Sequence, residues 1–352
     1  MRCLFRRVAP ALLVMTAGCS NFGYYMQSVS GQLDIWRRER LIEEVIQKPE
    51  TPATLKEKLG TVMQIRRFAA SELGLPLDGS YSRYADLDRP YVVWNVFATP
   101  EFSLKPMRWC FAFAGCVSYR GYFSRDAAER FAASVAAEDN RDVYVGGVPA
   151  YSTLGWFADP VLNTFIHYPE YRIAQLMFHE LAHRRVYAKN DSVFNESFAV
   201  VVEQVGVERW LERYGTDEER ARHAREQTYR DDFLKLVQAY HRRLSELYGE
   251  DDVSAAEMRK RKERIITKMM DDYARLKERW GGFAGYDQWF SRRPNNAQIA
   301  SIAIYTRLVP GFRALLGRHG GDLPRFYDAV KALADLSKEE RKAALERLAA
   351  GS

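Results

Sequence analysis

Phe178-His179-Glu180-Leu181-Ala182-His183 sets two histidines four positions apart with a glutamate directly after the first, the pattern His-Glu-x-x-His. On an α-helix that spacing is one turn, so both imidazoles leave the same face and can grip a single metal ion. Glu180 is rotated by about 100° from His179, which aims it beside such an ion, where it can accept a proton from water. Leu176 and Met177 before the motif, and Leu181 and Ala182 inside it, mark a partly buried helix, predicted over 169–188. Buried histidines need partners. A polar turn, Lys189-Asn190-Asp191-Ser192, then leads into a second helix predicted over 193–213, which opens with Asn195-Glu196-Ser197-Phe198-Ala199. Two antiparallel helices bring Glu196, thirteen residues after His183, back toward His179. Glu203 lies two helical turns further on the same face; it rivals Glu196 as third ligand by spacing, but is better placed to orient a ligand from behind. Two imidazoles, a carboxylate and an open fourth position suit catalytic rather than structural zinc. Manganese and cobalt can occupy similar sites.

Outward from this pair the sequence splits into a mixed beginning and a helical remainder. Further helices are predicted over 217–248, 253–280, 295–307 and 323–348. The stripes Phe233, Leu236, Val237, Tyr240, Leu244, Leu247 and Ile265, Ile266, Met269, Met270, Tyr273, Leu276 flank Gly249-Glu250-Asp251-Asp252, which reads as a long helical hairpin. Its interleaved charges read as a solvated face. Upstream, two helices are predicted within 29–73, on Leu33, Trp36, Leu41, Val45, Ile46 and then Leu55, Leu59, Val62, Ile65, Phe68. Strands are predicted at 91–98, around 108–123 and at 142–148, with a helix over 126–138. The expected fold class is α+β, predominantly helical, with a small N-terminal β region. One domain is expected over 19–352, comprising an α+β part (19–168), the metal-binding helices (169–216), the hairpin (217–281) and C-terminal helices (282–352).

Composition narrows the function classes. The 352 residues are 47% hydrophobic and 28% charged, enough to bury a sizeable core. The net charge of +6 includes Arg2, Arg6 and Arg7, which belong to a segment expected to be removed. So small a surplus argues against nucleic acid as a partner. No run of about 18 apolar residues suggests a conventional transmembrane helix. The first residues instead follow the order of a secretory signal peptide: basic residues, an apolar run over 8–15, then small residues. Thr16-Ala17-Gly18-Cys19 is similar to the lipobox of bacterial lipoproteins, with Thr16 where leucine is usual. That resemblance implies a signal peptide over 1–18, acylation of Cys19 and a bilayer as partner. Ser20 then favours the periplasmic side of the outer membrane. Of four cysteines, Cys3 would leave with the signal and Cys19 would carry lipid, so Cys110 and Cys116 are expected to form a disulfide in an exported chain. Closing so short a loop is worth about 2 kcal/mol in the simplest entropic model.

The Asn195-Glu196-x-x-Ala199 segment with the histidine motif resembles the glutamate-ligand zinc peptidases, including the zinc aminopeptidases, although the connecting loop is shorter here. More of the chain resembles one family, the bacterial lipoprotein zinc aminopeptidases. The likeness covers the Cys110 to Cys116 segment with Tyr119-Arg120-Gly121-Tyr122-Phe123, then 150–157, the metal motif, and Asn295-Asn296-Ala297 followed by Tyr305. It implies a zincin-like domain, Zn²⁺, a peptide substrate, aminopeptidase activity, and hydrolysis in which Glu180 moves the proton. Tyr305 is a candidate oxyanion donor, and Gly146 and Gly147 are candidates for holding the peptide backbone. Asn295 and Asn296 read first as helix caps. The glycine-rich, glutamate-containing amine-binding motif of the zinc aminopeptidases is not found, and Asp159 or Glu203 are the available substitutes. An envelope endopeptidase, a cell-wall peptide amidase, and a non-catalytic lipoprotein stapled by metal remain open. No protein partner is legible.

Overall fold

The computed structural model describes residues 9–111, 115–150 and 157–351, with side chains described from residue 23 onward. The signal peptide and Cys19 expectations, and most of the 150–157 segment, fall outside the described side chains. The chain is 63% helix and 9% strand, as the expected α+β, mostly helical class requires.

It begins with α1 (Ala9–Arg38), strand β1 (Arg40–Leu41), α2 (Ile42–Gln47) and α3 (Ala53–Ser71). Strands β2 (Arg83–Ala85), β3 (Val93–Thr99), β4 (Trp109–Phe111), β5 (Gly115–Val117) and β6 (Arg120–Tyr122) follow, then α4 (Arg125–Ala137) and β7 (Asp142–Val148). After β8 (Val161–Leu162) and the single turn α5 (Asn163–Ile166), the described chain is helical to its end. Those helices are α6 (Glu170–Arg185), α7 (Ser192–Tyr214), α8 (Asp217–Leu247), α9 (Ala255–Arg279), α10 (Asp287–Phe290), α11 (Asn296–Thr306), α12 (Val309–Arg318), α13 (Leu323–Ala334) and α14 (Lys338–Ala350).

α6 and α7 lie at the centre. Their inner faces, with Phe178, Leu181, Phe194 and Phe198 fully buried, join α3, α12 and α13 in the main core. Gly206 lets α7 close on α6: a Cβ there would come within 2.5 Å of the Phe178 ring. α8 and α9 form the expected hairpin, with an aromatic core of their own around Phe233, Tyr240, Tyr273 and Trp280. β3 is the middle strand of an antiparallel sheet ordered β6-β3-β7, and Phe97 on it meets α11 through Ile304 and Tyr305.

The disulfide joins Cys110 to Cys116, which face each other across the β4–β5 pair. This hairpin leans on the turn between α6 and α7. The Cys116 amide donates to Asn190 Oδ1 at 2.7 Å, and Arg108 reaches the carbonyls of Cys116 and Asn190. Gly115 has φ +74°, and a Cβ there would also strike Asn190, so both conformation and space demand glycine.

Several expectations are corrected. The 29–73 region holds the end of α1, then α2 and α3; Val45 and Ile46 of the first expected apolar stripe pack inward, but Leu33, Trp36 and Leu41 do not. Ile35, Ile42 and Val45 are buried, whereas Leu33, Trp36 and Leu41 are 37–39% exposed. Helix 323–348 is two helices, because Ser337 and Glu340 form a capping box that starts α14. α12 was not anticipated. With α11 it makes Asn296–Arg318, of mean hydropathy 1.3, long and apolar enough by length and composition to cross a membrane; half of that window is buried, with Ile299, Ile304 and Phe312 in the core.

Candidate metal centre

The turn after α6 is fastened by the first residue of the Asn195-Glu196 pair. Asn195, buried, accepts from the Ala188 amide at 2.8 Å and donates to the Ala188 carbonyl at 2.9 Å. Asp191 caps α7 by accepting from the Phe194 amide. The start of α7 is thereby fixed, and Glu196 projects into the space above α6.

There it meets both histidines. His179 Nε2 lies 3.2 Å from Glu196 Oε2, and His183 Nε2 lies 3.6 Å from the same oxygen. One ligand atom from each of the three residues falls within 4.8 Å of the others. Glu203 sits behind. Its Oε2 is 2.8 Å from His179 Nδ1, and its other oxygen accepts from Gln175 at 2.8 Å and Arg230 at 3.2 Å. That contact leaves Nε2 of His179 directed toward Glu196.

The donor set fits a divalent cation. His183 is 7% exposed, its Nδ1 is buried without a hydrogen-bond partner among the described residues, and its Nε2 stands beyond hydrogen-bond length from Glu196. Such an imidazole is incompletely satisfied by protein alone. Two imidazoles and a carboxylate form the set that zinc and its first-row neighbours accept.

Charges in the cluster are strongly coupled. Burial pushes the Glu196 carboxyl up, but the His183 and His179 imidazoles outweigh burial and bring it down to about 2. Burial pushes His179 down, yet its bonds to Glu196 and Glu203 hold it well above the ordinary imidazole value. Glu180 moves the other way: burial raises it above the usual carboxylate value against the pull of His179 and His183. A carboxyl raised beside a metal-binding cluster is poised to exchange a proton nearer neutrality.

His179, Glu180, His183 and Glu196 all open into one cavity of about 520 Å³. Tyr305 lines it, with its ring centroid 6.4 Å from that of His179. Tyr119 and Tyr187, not singled out from the sequence as site residues, line it too. Burial and then Glu196 raise Tyr305 and Tyr119 well above the ordinary phenol range, and both causes also raise Tyr187. All three therefore keep their protons and can donate hydrogen bonds.

Other expected site residues fall elsewhere. Gly146 and Gly147 do not line the cavity; Val148, Pro149 and Ala150 do. Gly147 instead makes room for Tyr91, whose ring would lie 2.4 Å from a Cβ there. Asn295 caps α11 by accepting from the Gln298 amide, and Asn296 is fully buried, bonded to the Glu101 carbonyl and Tyr248. Asp159 is buried 4.0 Å from Arg184 and is absent from the cavity wall among the described residues. The wall residue that sequence reasoning missed most clearly is Asn95. Its signal was legible, a lone carboxamide inside the apolar run 91–98.

A family model described as "Putative aminopeptidase" matches residues 23–345, and the chain belongs to that family. No curated protein and no solved structure matches it.

Proposed function

We propose that this aminopeptidase-family chain is a zinc-dependent, zincin-like peptidase, lipid-anchored through Cys19 on the periplasmic side of the outer membrane. The observation that carries the reading is the convergence of His179, His183 and Glu196 to within 4.8 Å, in the same cavity as Glu180. Bound there, a divalent cation supplies Lewis acidity toward a carbonyl oxygen and lowers the pKa of water.

The protein's own groups do the rest. Glu180 accepts a proton as water adds to the peptide carbonyl carbon, and passes it to the amine nitrogen as the C–N bond breaks. Tyr305, with Tyr119 beside it, donates to the oxygen that gains negative charge. Glu203 holds His179 by Nδ1, fixing the ring's orientation and the tautomer that offers Nε2 to the ion. A metal that merely staples helices has no use for Glu180, whose carboxyl faces the cavity. Support for a membrane-proximal chain comes from α1, which continues past Cys19 and carries exposed Tyr25, Met26, Val29, Leu33 and Trp36.

The test is metal content and peptide hydrolysis on the same purified protein. About one zinc per chain, with hydrolysis abolished by chelation and restored by zinc, is expected. Full activity in metal-free protein would refute the proposal.

A further inference from the structure

The cavity wall opposite the metal centre is apolar. Val93 on β3, Phe111 and Val117 from the disulfide hairpin, Phe123 and Val148 all line it, and Leu176 extends the apolar lining from α6, beside the metal centre. Asn95 interrupts them. It neighbours Val93 on the same face of β3, is 7% exposed, and lines the cavity, and no hydrogen bond ties its carboxamide to another described group. The strand opposite leaves space for it. Asn95 pairs with Gly121, where a Cβ would come within 3.1 Å of Asn95 Oδ1 and 3.0 Å of Val93. A buried carboxamide without a partner, facing a cavity, is a binding group awaiting a ligand's donor and acceptor.

The carboxylates of the same cavity are already engaged. Among the described residues only Glu180 and Glu196 contribute carboxylates to its lining. The segments whose side chains are not described, 1–22, 112–114, 151–156 and 352, contain no Asp or Glu. Glu203 is turned away, bonded to His179, Gln175 and Arg230. With a divalent cation bound, Glu180 and Glu196 would balance its charge, and Asp159, the further acid felt by Glu180, already faces Arg184, so the carboxylates lining the cavity would leave no surplus charge for an ammonium group. A substrate's free α-amine would be desolvated there without a counter-charge.

Resting on the peptidase reading, we infer that the cavity takes a neutral, apolar stretch of peptide. A large aliphatic or aromatic side chain lies against the Val93, Phe111 and Phe123 wall, and the Asn95 carboxamide holds the backbone amide. Recognition does not require a free α-amino group.

The experiment compares matched peptides with free and N-acetylated amino termini, carrying Leu, Phe, Ala or Asp at the variable position. Turnover is measured with zinc-loaded wild-type protein, and Kd with the Glu180→Gln protein, which should bind without cutting. Acetylation should change kcat/KM and Kd by less than about threefold, and Leu or Phe should exceed Ala by at least about tenfold. Asn95→Ala should raise KM more than it lowers kcat. Asn95→Asp, which adds a carboxylate of nearly the same shape, should shift preference at least about tenfold toward the free amine. A loss of more than about thirtyfold on acetylation, or a preference for Asp over Leu, would overturn the inference while leaving the peptidase reading intact. Unchanged binding and turnover in both Asn95 variants would remove the role given to Asn95. If zinc-loaded wild-type protein cleaves none of the peptides, the peptidase reading fails and this inference with it.

Discussion

Two helix pairs joined by short turns, α6 with α7 and α8 with α9, handle charge in opposite ways. In the α8–α9 hairpin most charges stay in solvent, as where Arg261 pairs with Glu257, their side chains 37% and 39% exposed. Its buried cation, Lys262, is paired with Asp142 at 2.7 Å, and the interior is aromatic, with Tyr273 of α9 stacked 3.8 Å from Phe290 of α10. In the α6–α7 pair three ionisable groups point inward and share one cluster: His183, Glu196 and Glu203 are each under 9% exposed. Buried charge opposes folding unless each group is partnered, and among the described residues His183 still has an orphaned nitrogen. The first pair is built as a folding element. The second carries an electrostatic burden that a bound cation would relieve.

The largest expected effect tests that contrast at its centre. Glu180→Gln should lower kcat by about 10²–10⁴ with metal content unchanged, as measured by peptide hydrolysis and elemental analysis. Retained turnover would show that the inward-facing glutamate has no part in the chemistry. Next, Glu196→Ala should abolish zinc retention on dialysis, whereas Glu203→Ala should weaken it by about 10–100-fold, the usual cost of losing an outer-sphere partner. The reverse ranking would exchange their roles. Calorimetry should show zinc stabilising the protein by about 2.7 kcal/mol at a free concentration 100 times Kd. His183→Ala should lose that gain, while variants within α8 and α9 should keep it.

The pH response of metal-free protein sharpens the same comparison. Glu196 is depressed from 4.5 to about 2 in the folded state, so its contribution is present above pH 4.5 and disappears as pH falls toward 2. His179 is raised, so its contribution is complete below pH 6.5 and is lost as pH climbs through the folded value. Thermal melts between pH 2 and 9 should therefore fall away on both sides, and Glu196→Gln should flatten the acid side. The smallest effect belongs to the hairpin surface: Glu257→Ala should leave the denaturant midpoint essentially where it is in the wild-type protein, because its ion pairs are solvent-screened.

Much of this was legible in the linear chain, for identifiable reasons. The helices of the second half announce themselves because apolar residues recur at the helical period over several turns. The α13–α14 break was also legible, in Ser337 and Glu340 at capping-box spacing, but an apolar period that runs across it obscured the signal. β1, β2 and β8 span only two or three residues each, too short for any alternation to register. α1 misled because apolar residues fall on both of its faces: Leu33 and Trp36 lie outside, and Ile35 packs inward.

At the site, sequence by itself determined that His179, Glu180 and His183 share one helix and that two histidines occupy one face, because helical geometry links neighbours four apart. It also determined that a carboxylate would return on the next helix. Which oxygen approaches which nitrogen was decided only in three dimensions, by the Asn195 clamp on Ala188 and by Gly206 closing α7 onto α6. Likewise, no local pattern could set Asn95 and Tyr119 opposite the histidines. Their meeting depends on how a sheet from the first half of the chain packs on helices from the second, through contacts that sequence periodicity does not encode.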